Sequence, residues 1–210
     1  MVFHSAASNL TTIPRAPSNS IFTDVYVASI EVSAALLNIS TRLQVQTGDN
    51  VLIGGFVVTG DQPKKMVLRA IGPSLAGAGL EGALVNPTLE LFDQSGAAIR
   101  SNDDWRENQH DIEATGIPPS DRREAAIVGT FAPGAYTAVV RGKQDGTGVG
   151  LVEAYDLEQT ASSKLANIST RGFVRGEQNV MIGGLIAGGG GGGRSVDCIA
   201  QQRRRSRRSK

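Results

Sequence analysis

Asn38-Ile39-Ser40-Thr41-Arg42, followed by Asn50-Val51-Leu52-Ile53-Gly54-Gly55, returns as Asn167-Ile168-Ser169-Thr170-Arg171 followed by Asn179-Val180-Met181-Ile182-Gly183-Gly184. Between 38–60 and 167–189, 12 of 23 positions are identical without a gap, at an offset of 129 residues. An offset of that size is a whole domain rather than one coil of a solenoid, so the chain reads as one unit and the opening of the next. The motif also decides the type of structure. Leu37, Ile39, Thr41, Leu43 and Val45 alternate with Asn38, Ser40, Arg42 and Gln44. A period of two with one apolar face is a strand. Gly48-Asp49-Asn50 is a turn signal. Val51 to Val58 is an almost continuous apolar run, read as a buried strand whose Gly54-Gly55 marks a bulge or a close backbone approach.

Outward from the motif, short strands continue. Val67, Arg69 and Ile71 alternate with Met66, Leu68 and Ala70; Thr88 to Asp93 and Ala97 to Arg100 flank the hairpin signal Gln94-Ser95-Gly96. Ala125 to Thr130, Ala135 to Arg141 and Val149 to Tyr155 follow, separated by Pro133-Gly134 and Asp145-Gly146. Gly72-Pro73-Ser74-Leu75 opens a stretch with room for a short helical turn. Ser101 to Ser120 is a long polar loop with a helical turn expected near Asp111 to Thr115. A further strand is expected between Asp24 and Val32. Eight or nine strands without long helices predict an all-β, antiparallel sandwich of jelly-roll character. The expected organisation is an irregular lead over 1–23, a sandwich unit over 24–160, the first strands of a truncated second unit over 161–189, and a Gly-rich, basic, disordered tail over 190–210.

Charge divides along the same lines. Residues 194–210 hold seven basic residues and one acid, which leaves the rest of the chain at about −5 out of an overall +1. The basic run Arg203 to Arg208 has the composition of a nucleic-acid or anionic-lipid contact. It follows six glycines, Gly188 to Gly193, just where the repeat stops matching, so it reads instead as a coding-frame shift or artificial end, and no nucleic-acid partner is expected. Cys198 is the single cysteine, which excludes an intramolecular disulfide. No run is apolar enough to span a bilayer, and the N-terminus lacks the basic and apolar regions of a signal peptide.

Residues 88–157 resemble the bacterial pre-peptidase C-terminal family, a small β-sandwich appended to secreted proteins. The resemblance rests on Leu89-Glu90-Leu91-Phe92-Asp93-x-x-Gly96, Asn102-Asp103-Asp104, Ala132 to Val140, and Thr147-Gly148 leading into the last strand. Together with Arg69-Ala70-Ile71-Gly72-Pro73-Ser74-Leu75 and Leu151 to Leu157, the unit over roughly 36–189 is similar to a repeat of about 130 residues in large secreted proteins of environmental bacteria. The resemblance implies an extracellular or cell-surface location, with neighbouring repeats or a surface ligand as partners.

Chemistry is sparse. His4 and His110 are the only histidines. Ser74 misses the G-x-S-x-G elbow by one residue and reads as a turn residue. Gly77-Ala78-Gly79-Leu80-Glu81-Gly82 spells a dinucleotide fingerprint, but Pro87 cuts off the helix that the phosphates need. No enzyme is expected. Asp93, Asn102, Asp103 and Asp104 are hard oxygen donors of the kind calcium takes. Some relatives of the resembling family bind calcium; the competing reading is local Asx-turn capping. Trp105, Tyr136 and His110 are the candidate ligand-binding side chains, with Trp105 read alternatively as a plug at one end of the sandwich. The sequons at Asn38 and Asn167 fall mid-strand, where Asn38, Ser40 and Arg42 form a polar face, and Arg42 and Arg69 are expected to pair with Glu90 or Glu153. The expected function is a non-catalytic extracellular repeat module, a structural spacer or adhesion element. The alternative is a calcium-assisted carbohydrate- or protein-binding domain, with no other cofactor.

Overall fold

The computed structural model describes residues 35–159, 162–174, 180–188 and, as backbone, 194–200. The lead over 1–23, the strand expected between Asp24 and Val32, and the run Arg203 to Arg208 lie outside the described residues.

The alternating motif forms β1 (Ala35–Val45), and the apolar run after it forms β2 (Leu52–Thr59). Then come β3 (Lys64–Ile71), the short helix α1 (Pro73–Gly77), β4 (Pro87–Phe92) and β5 (Ala98–Asn102). The long polar loop carries a 3-10 turn at Trp105–Asn108 and α2 (Gln109–Glu113). β6 (Ala125–Phe131), β7 (Gly134–Gly142) and β8 (Gly148–Asp156) complete the unit. The recurring motif supplies β9 (Lys164–Arg171) and β10 (Met181–Gly188). Within the stretch expected to be a disordered tail, Arg194–Ala200 form a strand, β11, antiparallel to β10.

Two antiparallel sheets face each other. One runs β11-β10-β1-β8-β3-β6 and the other β5-β4-β7-β2-β9. Without the strands of the second copy, the order is β1-β8-β3-β6 against β5-β4-β7-β2. That is the arrangement of an eight-stranded jelly roll, as the strand pattern predicted. The inner faces are apolar: Ile39, Leu43 and Val45 of β1 meet Leu52 and Phe56 of β2, Met66 and Leu68 of β3, and Leu89 and Leu91 of β4 in one core. Burying each of these side chains contributes roughly 1.5–3 kcal/mol.

The alternation in β3 turns Val67 away from that core, so its fully buried state requires a cover. The polar loop provides it. Trp105 and Ile112 close over Val67 and Ala126 as a second apolar cluster, with Ile117 and Tyr155 at its margin. The expectation of Trp105 at one end of the sandwich is corrected: it is 5% exposed, but on the outer face of the first sheet. Its indole N–H donates to the Asp121 carbonyl at 3.0 Å, which removes the cost of burying a polar group in that apolar cluster. The loop is fixed at its far end by Glu124, which is fully buried. Its carboxylate accepts from the backbone N–H groups of Gly72 and Ser74 (3.1 and 2.8 Å) and from the Ser74 hydroxyl at 2.7 Å. These are the unpaired donors at the start of α1, so Ser74 serves the turn that its sequence position indicated.

Candidate functional site

The polar constellation expected to bind calcium is not gathered in one place. The Asp93 carboxylate accepts from the Ser95 hydroxyl and from the backbone N–H groups of Ser95 and Ala97. These bonds, the Ser95 hydroxyl first, hold its pKa below the usual carboxylate value. Asn102 to Asp104 lie at the opposite end of β5, a separation of about 16 Å for a strand of that length. Asn102 accepts from Ala126 N–H at 2.8 Å and donates to the Asp104 carbonyl at 2.9 Å. Asp104 caps the 3-10 turn through Arg106 N–H. Asp103 pairs through Oδ2 with Lys143, whose pKa this hydrogen bond raises, and its Oδ1 is buried without a hydrogen bond. Among the described residues no group of three or more His, Cys, Asp or Glu side chains could hold a metal ion.

The expected ligand-binding side chains are likewise dispersed. Trp105 is enclosed on the first sheet. Tyr136 belongs to β7 of the second sheet, stacked on Phe56 at 5.3 Å, with its hydroxyl donating to the Ala132 carbonyl. Burial first, and the Asp93 charge second, raise its pKa. His110 points into solvent, its ring 96% exposed and beside Asp111. The three do not form a platform. The expected pairing of Arg69 is found: its guanidinium donates to Glu153 at 3.0 and 2.5 Å and to the Tyr155 hydroxyl at 3.0 Å. Desolvation, then the Glu153 charge, push Tyr155 up to about 12. Glu90 pairs with Arg141 instead, at 3.5 Å and exposed.

What the chain does assemble is a joint between its two copies. Each copy's first strand pairs with the other copy's second strand. β1 lies against β10 with Ile39, Ser40, Thr41 and Arg42 opposite Leu185, Gly184, Gly183 and Ile182. β2 lies against β9 with Phe56, Gly55, Gly54 and Ile53 opposite Ile168, Ser169, Thr170 and Arg171. Shifting either set by 129 residues reproduces the other. The relation is therefore a two-fold rotation within one chain. At its centre Thr41 and Thr170, the same residue of the two copies, share a hydrogen bond of 2.7 Å between their hydroxyls.

The two glycines serve two different contacts, and only Gly55 belongs to this joint. A Cβ on Gly55 would collide with the Ser169 hydroxyl, and one on Gly54 would reach 2.9 Å from Val152. Gly55 leaves room for the Ser169 side chain of β9, and Gly54 for Val152 of β8 in the facing sheet, the close approach that the sequence indicated. Ile168, Met181 and Leu185 of the second copy pack against the core of the first, and Leu165, 2% exposed, is part of it. The expected stub of a second unit is thus built into the first.

The connection between the copies is pinned as well. Lys64 is fully buried, and its ammonium donates to both Asp156 oxygens (2.9 and 2.8 Å) and to the Glu158 carbonyl (2.8 Å). All three of its protons are satisfied, the condition for burying a charge. Ser162 and Ser163 donate to Asp61 and to the Pro63 carbonyl, and Thr59 donates to the Lys164 carbonyl. Gly60, at φ +101°, lies where a Cβ would strike Ser163 Cα at 2.8 Å. The turn between β2 and β3 therefore holds the segment that leads from one copy into the next.

No protein-family model, no curated protein and no solved structure matches this chain. No helix among the described residues is long and apolar enough to cross a membrane.

Proposed function

We propose that this unit is a non-catalytic repeat module of a secreted or cell-surface bacterial protein, a structural spacer that presents or attaches other parts of that protein. One observation carries the reading: the opening strands of the second copy enter both sheets of the first, so the unit is shaped to join a copy of itself. The buried polar groups point the same way. Lys64, Asp156, Glu124 and Asn38 spend their hydrogen bonds on the chain's own backbone and side chains, rather than on a shared cleft. The extracellular location rests on the resemblance of 88–157 to the pre-peptidase C-terminal family.

Calorimetry of the full chain with and without millimolar calcium tests the reading. The melting temperature is expected to stay the same. A rise that Asp103→Ala and Asp104→Ala abolish would replace the spacer with a calcium-assisted binding domain, since a ligand stabilises only a state that binds it. Protease treatment of intact cells producing the parent protein tests the location: cleavage fragments from this unit are expected, and full protection would contradict it.

A further inference from the structure

We infer that whole units of this repeat close in pairs: two units share both sheets, each laying its Asn38–Arg42 segment against the other's Ile53–Phe56 segment. The inference rests on the repeat-module reading and names that module's partner as a second copy of itself.

The register carries it. A head-to-tail contact would set one surface of a copy against a different surface of the next, and such contacts propagate. Here the same surface serves both copies, β1 on β10 and β2 on β9, and residue Thr41 meets its own counterpart Thr170. A self-complementary contact of this kind closes at two members. The neighbours of each strand agree with that closure. β1 already has β8 on its other side, and β2 has β7. Neither retains an edge for a third copy.

The second copy has room for the rest of a unit. Among the described residues β9 is an edge strand of its sheet, and the side left free there is the one that β8 occupies next to β1. On β10 the corresponding side, the place of β7 next to β2, holds β11. A complete second unit would add its own counterparts of β8 and β7 at these two positions, with β11 displaced and the joint unchanged. Each sheet of the pair would then run continuously through both units, and the β1 and β2 edges of the jelly roll would be covered. The partner unit can lie in the same longer chain or in a second chain.

Two arms distinguish those sources, both with Cys198→Ser so that introduced thiols are the only ones. In the first, Gly183→Val with Gly184→Val expels the second opening from the full chain. The released unit is expected to double in mass by light scattering, and an added Thr41→Cys is expected to cross-link two chains through position 41 itself. A folded chain that stays monomeric at high concentration, or a dimer that Thr41→Cys does not cross-link, would overturn the inference. The second arm does not depend on that variant folding. The chain is lengthened after Gly188 by a copy of residues 60–159, giving two whole units. It is expected to be monomeric, with the thiols of Thr41→Cys and Thr170→Cys joined within the chain; open-ended association would overturn pairing. Failure of the same two thiols to join in the chain of 210 residues contradicts the module reading itself. Success there with failure in the two arms contradicts only the pairing of whole units.

Discussion

The two copies of Asn-Ile-Ser-Thr-Arg are the same sequence in two surroundings. In β1 the segment lies between two strands; in β9, among the described residues, it lies beside one. Asn38 is 4% exposed and donates to the Ala154 carbonyl of the neighbouring β8, whereas Asn167 is exposed and bulges out at φ +60°. Ile39 is buried and Ile168 only partly so. The difference teaches that the motif specifies the pairing, while the number of neighbours sets how far each residue is buried. It also locates the difference: among the described residues no strand stands beside β9 in the position that β8 takes beside β1.

Substitutions can break the comparison. The largest effect is expected where the first copy hands over to the second. Asp156→Ala leaves Lys64 buried without its counter-charge, which costs about 3–5 kcal/mol in denaturant unfolding. Next is the matched pair of apolar truncations. Ile39→Ala is expected to cost about 3 kcal/mol and Ile168→Ala less than half of that, because only the first leaves an enclosed cavity. Equal losses would show that both copies are equally buried.

The asparagines give a difference of sign. Asn38→Gly loses a buried hydrogen bond and is expected to cost about 1–2 kcal/mol. Asn167→Gly removes a side chain from a left-handed position that glycine accepts freely, and is expected to fall within a few tenths of a kcal/mol of the parent or above it. Thermal unfolding of the two variants side by side checks this.

The smallest effect is one of pH, in the loop that covers the first copy's outer face. The hydrogen bond from Arg123, opposed by burial and aided by the Arg123 and Arg122 charges, lowers the Asp121 carboxyl to about 2. A folded-state pKa depressed from 3.8 means that the contribution is present above about pH 4 and is lost as the pH falls through about 2. The melting-temperature gap between the parent chain and Asp121→Asn is therefore expected to close between about pH 4 and about pH 2.

Most strands of the first copy were legible because their signals are local: alternation in Leu37 to Val45, the turns at Gln94-Ser95-Gly96 and Pro133-Gly134, and the breaker at Gly72-Pro73. The repeat itself was legible, and so was the close approach at Gly54-Gly55. The identity of the strand that approaches was not. Register between strands more than a hundred residues apart is set by which faces must be buried together, and nothing in either segment alone encodes it. The identical motif at the right offset was the available signal, since self-complementary strands can pair with their own copies. Asp93 parts from the other candidate calcium ligands for a related reason. Asp93 and Asn102 are near in sequence, but a hairpin strand between them carries them to opposite ends. The cover over Val67 hid in a polar loop, where Trp105, Ile112 and Ile117 were the sparse apolar signs. Lys64 reads as an ordinary surface lysine until its partner Asp156, 92 residues away, is brought beneath it.

The two-fold relation between the openings of the copies is tested most directly at its centre. In a full chain carrying Cys198→Ser, Thr41→Cys and Thr170→Cys, mild oxidation is expected to form one disulfide within each monomer, since the two hydroxyls it replaces are 2.7 Å apart. The cross-linked chain should migrate as a monomer, carry no free thiol and melt at a higher temperature than its reduced form. A folded chain whose thiols both remain free, or whose disulfides form only between molecules, would contradict the joint.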